Sequence, residues 1–254
     1  MNALTRELQL FFNALTFFTR IPAPAWIEFS SDHLNHASRY FPLVGLLVGL
    51  IAALLFWLFA LCLPVPIALL LSTCAAILLT GGFHEDGLAD ACDGFGGGWT
   101  AEQTLHIMKD SRLGSYGALG LLLILGLKIT SLASLGDIVT ALIAGHTLSR
   151  FVAVSLMYTD AYVQLDQLSK VRALTNRMSH QALMIAAIPA LACLALLPAN
   201  SWLAVIAALL LLHTGLRRLF RRRLGGYTGD CLGATQQLAE VVIYLTLCAL
   251  AGLA

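Results

Sequence analysis

Apolar segments without charged residues constrain what this sequence can fold into more than any other feature. The run from Leu61 to Thr80 contains no charged residue, and several other stretches reach the roughly 20 residues needed to cross the hydrocarbon core of a bilayer. Charged residues make up only 11% of the 254 residues, whereas a typical soluble domain has about 25%. The sequence therefore predicts an all-α, polytopic membrane protein, with residues 1–254 forming a single integral membrane domain in the lipid bilayer.

We expect about seven transmembrane helices in one bundle. Their approximate bounds are 41–62, 65–83, 116–135, 138–158, 182–199, 201–216 and 236–254. The three shortest turns contain no lysine or arginine, and thirteen basic residues fall on the other side: Arg6, Arg20, Arg39, Lys109, Arg112, Lys170, Arg172, Arg177, Arg217, Arg218, Arg221, Arg222 and Arg223. The positive-inside rule then puts the N-terminus and the long loops in the cytoplasm, and the C-terminus on the opposite side. Because the net charge is only +1 and no basic domain exists, we exclude nucleic acid as a partner.

Residues 3–18 show a helical pattern. The apolar side chains recur at helical spacing, at Leu4, Leu8, Phe11, Phe12, Leu15 and Phe18. The opposite face carries Arg6, Gln9 and Asn13. This pattern predicts an N-terminal interfacial helix that lies on the cytoplasmic leaflet. A helix packed against the bundle is the alternative.

Four carboxylates crowd the nine residues from Glu85 to Asp93, directly after a predicted span. On a helix, positions i, i+4 and i+7 share a face, so Asp86, Asp90 and Asp93 face one side, whereas Glu85 projects about 100° away. Oxygen ligands crowded in this way favour a hard divalent cation, Mg²⁺ or Mn²⁺, over zinc. A solvated acidic loop is the alternative, but such a loop does not need the seven glycines that surround the acids.

Four basic residues are candidates for holding substrate or for stabilising the bundle. Lys109 and Arg112 lie one turn apart and can clamp a phosphate; a positive-inside anchor is the alternative. Lys128 and Arg150 lie inside predicted spans, where ionisable residues are functional candidates. Arg150 can face the site from below, whereas Lys128 can equally be a buried structural partner. We interpret His146, one turn before Arg150, as a packed polar residue.

A glycine-rich segment, residues 224–234, leads into the last predicted span. Backbone N–H groups at Gly226, Thr228 and Gly229 can close on a phosphate. Asp230 follows them, and an acid beside a phosphate requires a metal ion between the two charges. We therefore expect Asp230 to complete the metal site of the acidic motif. The alternative is that Asp230 is the N-cap of the last helix.

Five motifs are spread along the chain from end to end: Thr19–Pro22, Tyr40–Gly45, Gly81–Gly94, Met108–Gly114 and Gly226–Ala234. With these motifs in this order, the chain resembles the cobalamin synthase family, the adenosylcobinamide-GDP ribazoletransferases. The resemblance implies a Mg²⁺-dependent enzyme of the bacterial inner membrane, with its C-terminus in the periplasm. In the family's pattern GGFH-x-DGLAD-x-x-DG the position of Glu85 varies, which supports leaving Glu85 out of the ligand set.

The reaction implied by the resemblance is the last assembly step of the nucleotide loop of coenzyme B12. The phosphocorrinoid of adenosylcobinamide-GDP is transferred to α-ribazole, or to its 5′-phosphate, and GMP is released. Mg²⁺ on the three aspartates is expected to neutralise charge on the leaving GMP, and His84 or one carboxylate to take a proton from ribazole. The catalytic candidates are therefore His84, Asp86, Asp90 and Asp93. Whether the protein forms a homo-oligomer is left open.

Two other functions remain open from the residues alone. A membrane phosphotransferase or prenyltransferase acting on a CDP-alcohol or a lipid diphosphate would use an aspartate-rich motif equally well. Asp90-x-x-Asp93-Gly94 matches the DxxDG opening of the CDP-alcohol phosphotransferase signature, but the rest of that signature is missing. A secondary transporter would carry its charged site near the midplane of the bilayer on broken helices, whereas these acids follow the end of a span.

Overall fold

A computed structural model describes residues 3–29, 31–163 and 178–252. Within these ranges the protein is built from α-helices, and an isolated bridge between Tyr162 and Tyr227 is the only extended pairing. The helices of the described residues are α1 (Ala3–Phe18), α2 (Ser31–Ala37), α3 (Phe41–Ala60), α4 (Val65–Thr80), α5 (Phe83–Gly97), α6 (Ala101–Met108), α7 (Ser115–Ala133), α8 (Ile138–Thr159), α9 (His180–Leu196), α10 (Trp202–Leu224) and α11 (Gly229–Ala251).

Five helices are long and apolar enough to cross a membrane: α3 with the turns before it, α7, α8, α10 and α11. A sixth candidate is α4 together with α5, and α9 is apolar but has only 17 residues. Each predicted span overlaps one of these helices, so the all-α, polytopic membrane fold is confirmed. How many helices cross, and on which side the C-terminus lies, stay predictions. Three of the basic residues used for the topology lie outside the described residues: Lys170, Arg172 and Arg177.

A two-glycine corner separates α4 from α5. Gly81 and Gly82 have φ angles of 70° and 73°, in the left-handed region that glycine enters without steric cost. The two helices meet at 89°, so α5 does not continue the direction of α4. Because α5 has only 15 residues and carries four carboxylates, we assign it to the region outside the membrane-spanning helices.

Glycines allow the central helices to approach one another closely. A Cβ atom added to Gly45 of α3 would lie 2.4 Å from the carbonyl oxygen of His146 in α8. Where α5 crosses α11, a Cβ atom on Gly87 would lie 3.1 Å from the Cα atom of Asp230. Small residues at helix interfaces permit such contacts. The second crossing positions the candidate site, because it packs the acidic helix against the start of α11.

The N-terminal helix α1 packs against the bundle. Leu15 and Phe18 are buried, as the apolar pattern predicts, but Leu4 and Leu8 of the same pattern are exposed. Gln9 and Asn13 of the supposed polar face are buried as well. Their amides face another part of the chain, and Asn13 Nδ2 donates a hydrogen bond of 3.1 Å to the carbonyl oxygen of Glu28. The structure therefore has the packed form of this helix, and its contact with the leaflet surface stays a prediction.

Candidate active site

The crossing of α5 and α11 brings together acids that are far apart in the sequence. Asp86 and Asp90 lie on α5, and Asp230 lies in the first turn of α11. Burial raises the pKa of Asp90 to about 7, and the negative charges of Asp230, Asp86 and Asp93 add to the shift. Carboxylates influence one another in this way only at short range. The acidic motif and Asp230 therefore form one acidic cluster, defined here as Asp86, Asp90 and Asp230.

Asp93 differs from the other acids because backbone donors engage both of its oxygens. Its side chain is buried, and it accepts hydrogen bonds from the N–H groups of Gly114 at 2.7 Å and Gly117 at 2.8 Å. These donors lie at the start of α7, where backbone N–H groups lack partners within the helix. A Cβ atom on Gly114 would lie 2.4 Å from Asp93 Oδ1. Asp93 thus joins α7 to α5. That it also binds a metal ion stays a prediction.

The acidic cluster suits a hard cation by its chemistry. Among the described residues, no ion pair involves Asp86, Asp90 or Asp230. Within the same residues, no three His, Cys, Asp or Glu side chains converge closely enough to enclose a metal ion. Mg²⁺ does not require such enclosure, because it usually takes one or two carboxylates and completes its shell with water and substrate phosphate. The three acids therefore fit a substrate-completed Mg²⁺ site better than a closed protein site.

Thr228, and not Asp230, is the N-cap of α11. The Thr228 hydroxyl accepts a hydrogen bond of 3.2 Å from the N–H group of Cys231. The capping alternative for Asp230 is therefore wrong, because that position is filled two residues earlier. Asp230 lies inside the first turn, where the helix dipole favours a negative charge, and its Oδ2 atom accepts a hydrogen bond of 3.4 Å from the Thr228 hydroxyl.

A cavity of about 370 Å³ lies beside the acidic cluster. Six of the residues predicted for the site line it: His84, Lys109, Arg150, Thr228, Gly229 and Asp230. They come from α5, the end of α6, α8 and the start of α11. The rest of the wall is mainly aromatic and aliphatic. The cavity thus joins charged groups of both signs to an extended apolar surface.

His84 is a buried aromatic part of the cavity wall. Its ring stacks on the ring of Phe18 with a centroid distance of 5.2 Å and an interplanar angle of 16°. Burial, and then the positive charge of Arg150, hold the pKa of His84 well below its ordinary value. The imidazole is therefore neutral near pH 7, which leaves one ring nitrogen able to accept a proton.

Two predicted phosphate-binding residues do not line the cavity. The Arg112 side chain is 86% exposed and pairs with Asp110, whose Oδ2 lies 2.5 Å from Arg112 Nη2. This local pair lowers the pKa of Asp110. Gly226 packs against the backbone of Ala161, where an added Cβ atom would lie 2.2 Å from the carbonyl oxygen. Gly226 therefore permits a close backbone crossing, while Thr228 and Gly229 reach the cavity.

A buried charged network lies between α7, α8 and α11. Lys128 has the role of a buried structural partner, which the sequence left open as an alternative, but the acid that pairs with it, Glu240, was not predicted. Glu240 is completely buried and forms an ion pair with Lys128. Its Oε1 atom lies 2.7 Å from His146 Nδ1 and 4.0 Å from Arg150 Nη1. Gln236 Nε2 donates to the same oxygen at 2.5 Å. The signal was available, because an ionisable residue inside an apolar span marks a functional candidate, and Glu240 is such a residue.

The network reaches the acidic helix through Glu85. Gln237 Nε2 donates a hydrogen bond of 2.9 Å to Glu85 Oε1, so Glu85 faces α11 and not the acidic cluster. A small polar cavity of about 20 Å³ lies among these side chains, and it shares His84, Arg150 and Gln236 with the larger cavity. The buried network and the candidate active site are therefore adjacent, with these three residues between them.

The sequence has clear relatives among known proteins. The sequence model of the family described as cobalamin-5-phosphate synthase matches residues 10–248. The chain belongs to this family. A relative from Shewanella oneidensis, named adenosylcobinamide-GDP ribazoletransferase, is 51% identical over 257 residues, which cover 98% of this chain and 97% of the relative. One of the same name from Shewanella frigidimarina is 52% identical over 249 residues, which cover 96% and 95%.

The family membership predicted from the five motifs is thus confirmed. The matched region, residues 10–248, contains the acidic cluster, the cavity wall and the buried network. No solved structure matches the chain significantly, so the arrangement of these parts comes from the structure described above.

Proposed function

We propose that the chain is an adenosylcobinamide-GDP ribazoletransferase, which completes the nucleotide loop of coenzyme B12. It transfers the phosphocorrinoid of adenosylcobinamide-GDP to α-ribazole, or to the 5′-phosphate of α-ribazole, and releases GMP. Relatives with this name are 51% and 52% identical over almost the whole chain. The crossing of α5 and α11 supports the proposal most directly, because it brings Asp230 next to the acidic helix α5 and beside a cavity that Lys109 and Arg150 also line.

The transfer exchanges one phosphorus–oxygen bond for another. A hydroxyl oxygen of ribazole bonds to the phosphorus that carries the cobinamide. The bond from this phosphorus to the bridging oxygen breaks, and GMP leaves with the electron pair. The hydroxyl proton goes to His84, which burial keeps neutral, or to one of the carboxylates. General-base catalysis is most effective when the pKa of the base lies near the working pH. Burial holds the pKa of His84 well below its ordinary value and raises that of Asp90 to about 7.

The diphosphate of the donor requires compensation of its negative charge. Lys109 and Arg150 line the cavity and can donate charge-assisted hydrogen bonds to phosphate oxygens. Arg150 Nε has no hydrogen-bond partner among the described residues, so one donor of the guanidinium is available. One or two of Asp86, Asp90 and Asp230 would hold Mg²⁺, with water and substrate phosphate completing its shell, and the bound ion would neutralise phosphate charge and make the phosphorus more electrophilic. Positioning and electrostatics dominate catalysis of such transfers.

We propose the bacterial inner membrane as the location, with the N-terminus and the active-site loops in the cytoplasm and the C-terminus in the periplasm. The distribution of lysine and arginine supports this orientation. The acidic helix α5 follows α4 at a corner, on the side where the basic loops lie. In this orientation the water-soluble substrates would reach the site from the cytoplasm.

A product assay tests the function. Purified protein in detergent or liposomes is incubated with adenosylcobinamide-GDP, α-ribazole and Mg²⁺, and GMP and the corrinoid product are measured. We expect both products in equal amounts, and neither of them in the presence of a chelator or without α-ribazole. Glu102→Gln, which removes an exposed acid of α6, is the matched control and should retain activity. GMP without a new corrinoid, or turnover of a CDP-alcohol instead, contradicts the proposal.

A further inference from the structure

We propose that the 370 Å³ cavity binds the aromatic base of ribazole, with the ribose directed toward Asp230, while the corrinoid stays outside the cavity. This inference rests on the proposed function, and it assigns one part of the site to one of the two substrates. Ribazole is a dimethylbenzimidazole riboside, so its base is planar, aromatic and almost without polar atoms.

Five of the six aromatic side chains that line the cavity pack together, and they form what we call its aromatic wall: Phe17, Phe18, Phe41, Phe83 and His84. The sixth, Tyr162, packs against Tyr227. Phe18 is at the centre of the aromatic wall, with ring centroids 4.3 Å from Phe41 and 5.4 Å from Phe83, both in edge-to-face contact. Rings arranged in this way offer both faces and edges, and a further aromatic ring gains from either contact. The flexible side chains of Met108 and Met157 also line the cavity, and thioethers adapt well to aromatic surfaces.

The wall distinguishes between the two bases present in the reaction. Guanine carries an exocyclic amine, a carbonyl group and ring N–H groups, and each of them needs a hydrogen-bond partner when it is buried. The aromatic wall offers only the imidazole of His84 as such a partner, and the other uncharged hydrogen-bonding side chains among the described lining residues are those of Tyr162, Thr228 and Gln236. Dimethylbenzimidazole makes few demands of this kind, because its edge carries methyl groups. The cavity therefore favours the acceptor base over the guanine of the donor.

The size of the cavity and its polar end agree with this assignment. Small-molecule pockets typically have volumes of about 300–1,000 Å³, and 370 Å³ is near the lower limit. That volume suits a bicyclic base and not a corrin macrocycle with its side chains. Thr228, Gly229 and Asp230 form the polar end of the cavity, and Asp230 belongs to the acidic cluster. A ribazole with its base against Phe18 therefore presents its ribose hydroxyls to the acids.

A binding experiment on two variants tests the inference. The affinity of α-ribazole for the purified protein is measured by isothermal titration calorimetry, without Mg²⁺ or corrinoid. Ala153→Leu fills part of the cavity, and we expect it to raise the Kd about tenfold or more. Phe83→Leu removes one aromatic ring at a position that is 40% exposed, so folding should tolerate it, and we expect a roughly 2- to 10-fold rise in Kd. Phe11→Leu, at a half-buried ring of α1 outside the cavity, is the control and should leave the Kd unchanged.

The outcomes separate this inference from the proposed function. If the wild type catalyses the transfer but both variants bind α-ribazole as tightly as the wild type, the cavity does not bind the base, and the proposed function stands. If the variants lose affinity for GMP and not for α-ribazole, the assignment of the two substrates is reversed and the inference fails. If the wild type neither binds α-ribazole nor releases GMP, both proposals fail. Loss of α-ribazole binding in both variants, with unchanged GMP binding, supports the inference even if one variant is less stable.

Discussion

Glu240 balances positive charge inside the bundle, and we predict that its replacement is costly. Its side chain has 0% exposure, and those of Lys128 and Arg150 have 5% and 3%. Together with Glu85, which reaches the network through Gln237, these side chains carry two formal charges of each sign. Glu240→Gln preserves the shape but leaves one buried positive charge uncompensated. Breaking a buried ion pair in this way typically costs about 3–5 kcal/mol of unfolding free energy.

Thermal unfolding in detergent, followed by circular dichroism, measures this loss. For a chain of this size, about 3–5 kcal/mol corresponds to a decrease in Tm of roughly 6–20 °C. The double variant Lys128→Met/Glu240→Gln removes one charge of each sign and restores the balance. We therefore expect its Tm to lie above that of Glu240→Gln, because the two changes are coupled and not additive. Glu102→Gln, at an exposed position on α6, should unfold like the wild type.

Two results would contradict the predicted role of Glu240. A decrease in Tm of less than about 2 °C for Glu240→Gln, corresponding to less than about 1 kcal/mol, would mean that the network does not depend on the charge of Glu240. A double variant whose loss equals the sum of the two single losses would show that Lys128 and Glu240 do not stabilise each other, despite their ion pair.

The remaining predictions concern the site and the topology. Asp86→Asn or Asp90→Asn should lower transferase activity about 10²-fold or more, as loss of a pre-organised charge does elsewhere. Glu85→Gln should be far milder in the same assay, because Glu85 binds Gln237. An equal loss of activity in Glu85→Gln would contradict the separation of Glu85 from the acidic cluster. Asp230→Asn should raise the Mg²⁺ concentration needed for half-maximal activity with little change in Tm, and normal turnover at limiting Mg²⁺ would exclude a metal role. A reporter fused after the last residue should register in the periplasm, and cytoplasmic activity would mean that the span count is wrong.

The helices and the acidic motif could be predicted because their signals are local. Uncharged runs of about 20 residues predicted the spans, and the spacing of Asp86, Asp90 and Asp93 predicted one helix. The last predicted span begins at residue 236, whereas α11 itself begins at Gly229. Its first turns are rich in glycine and polar residues that hydropathy assigns to a loop. They form a helix because Gly233 packs closely against α5. Thr228 caps this helix and lines the cavity.

The site could be predicted only in part, because its contacts join distant parts of the chain. The motif spacing suggested that Asp230 approaches the acids, but nothing local indicated that both oxygens of Asp93 bind the start of α7. The phosphate clamp of Lys109 and Arg112 assumed one continuous helical turn. In the structure α6 ends at Met108, and Arg112 turns outward to Asp110. A helix end between two residues changes which side each of them faces, and the sequence signal for that end was weak.

Arg150 connects the two parts of the molecule that matter most for the proposed reaction. On one side it borders Glu240 and donates a hydrogen bond of 2.9 Å to the carbonyl oxygen of His146. On the other side it lines the cavity beside the acidic cluster. A long cationic side chain normally loses conformational entropy when it binds an anion. The network fixes Arg150 before substrate binds, so this loss occurs during folding and not during binding. The buried charges of Glu240 and Lys128 would in this way prepare Arg150 for the phosphate.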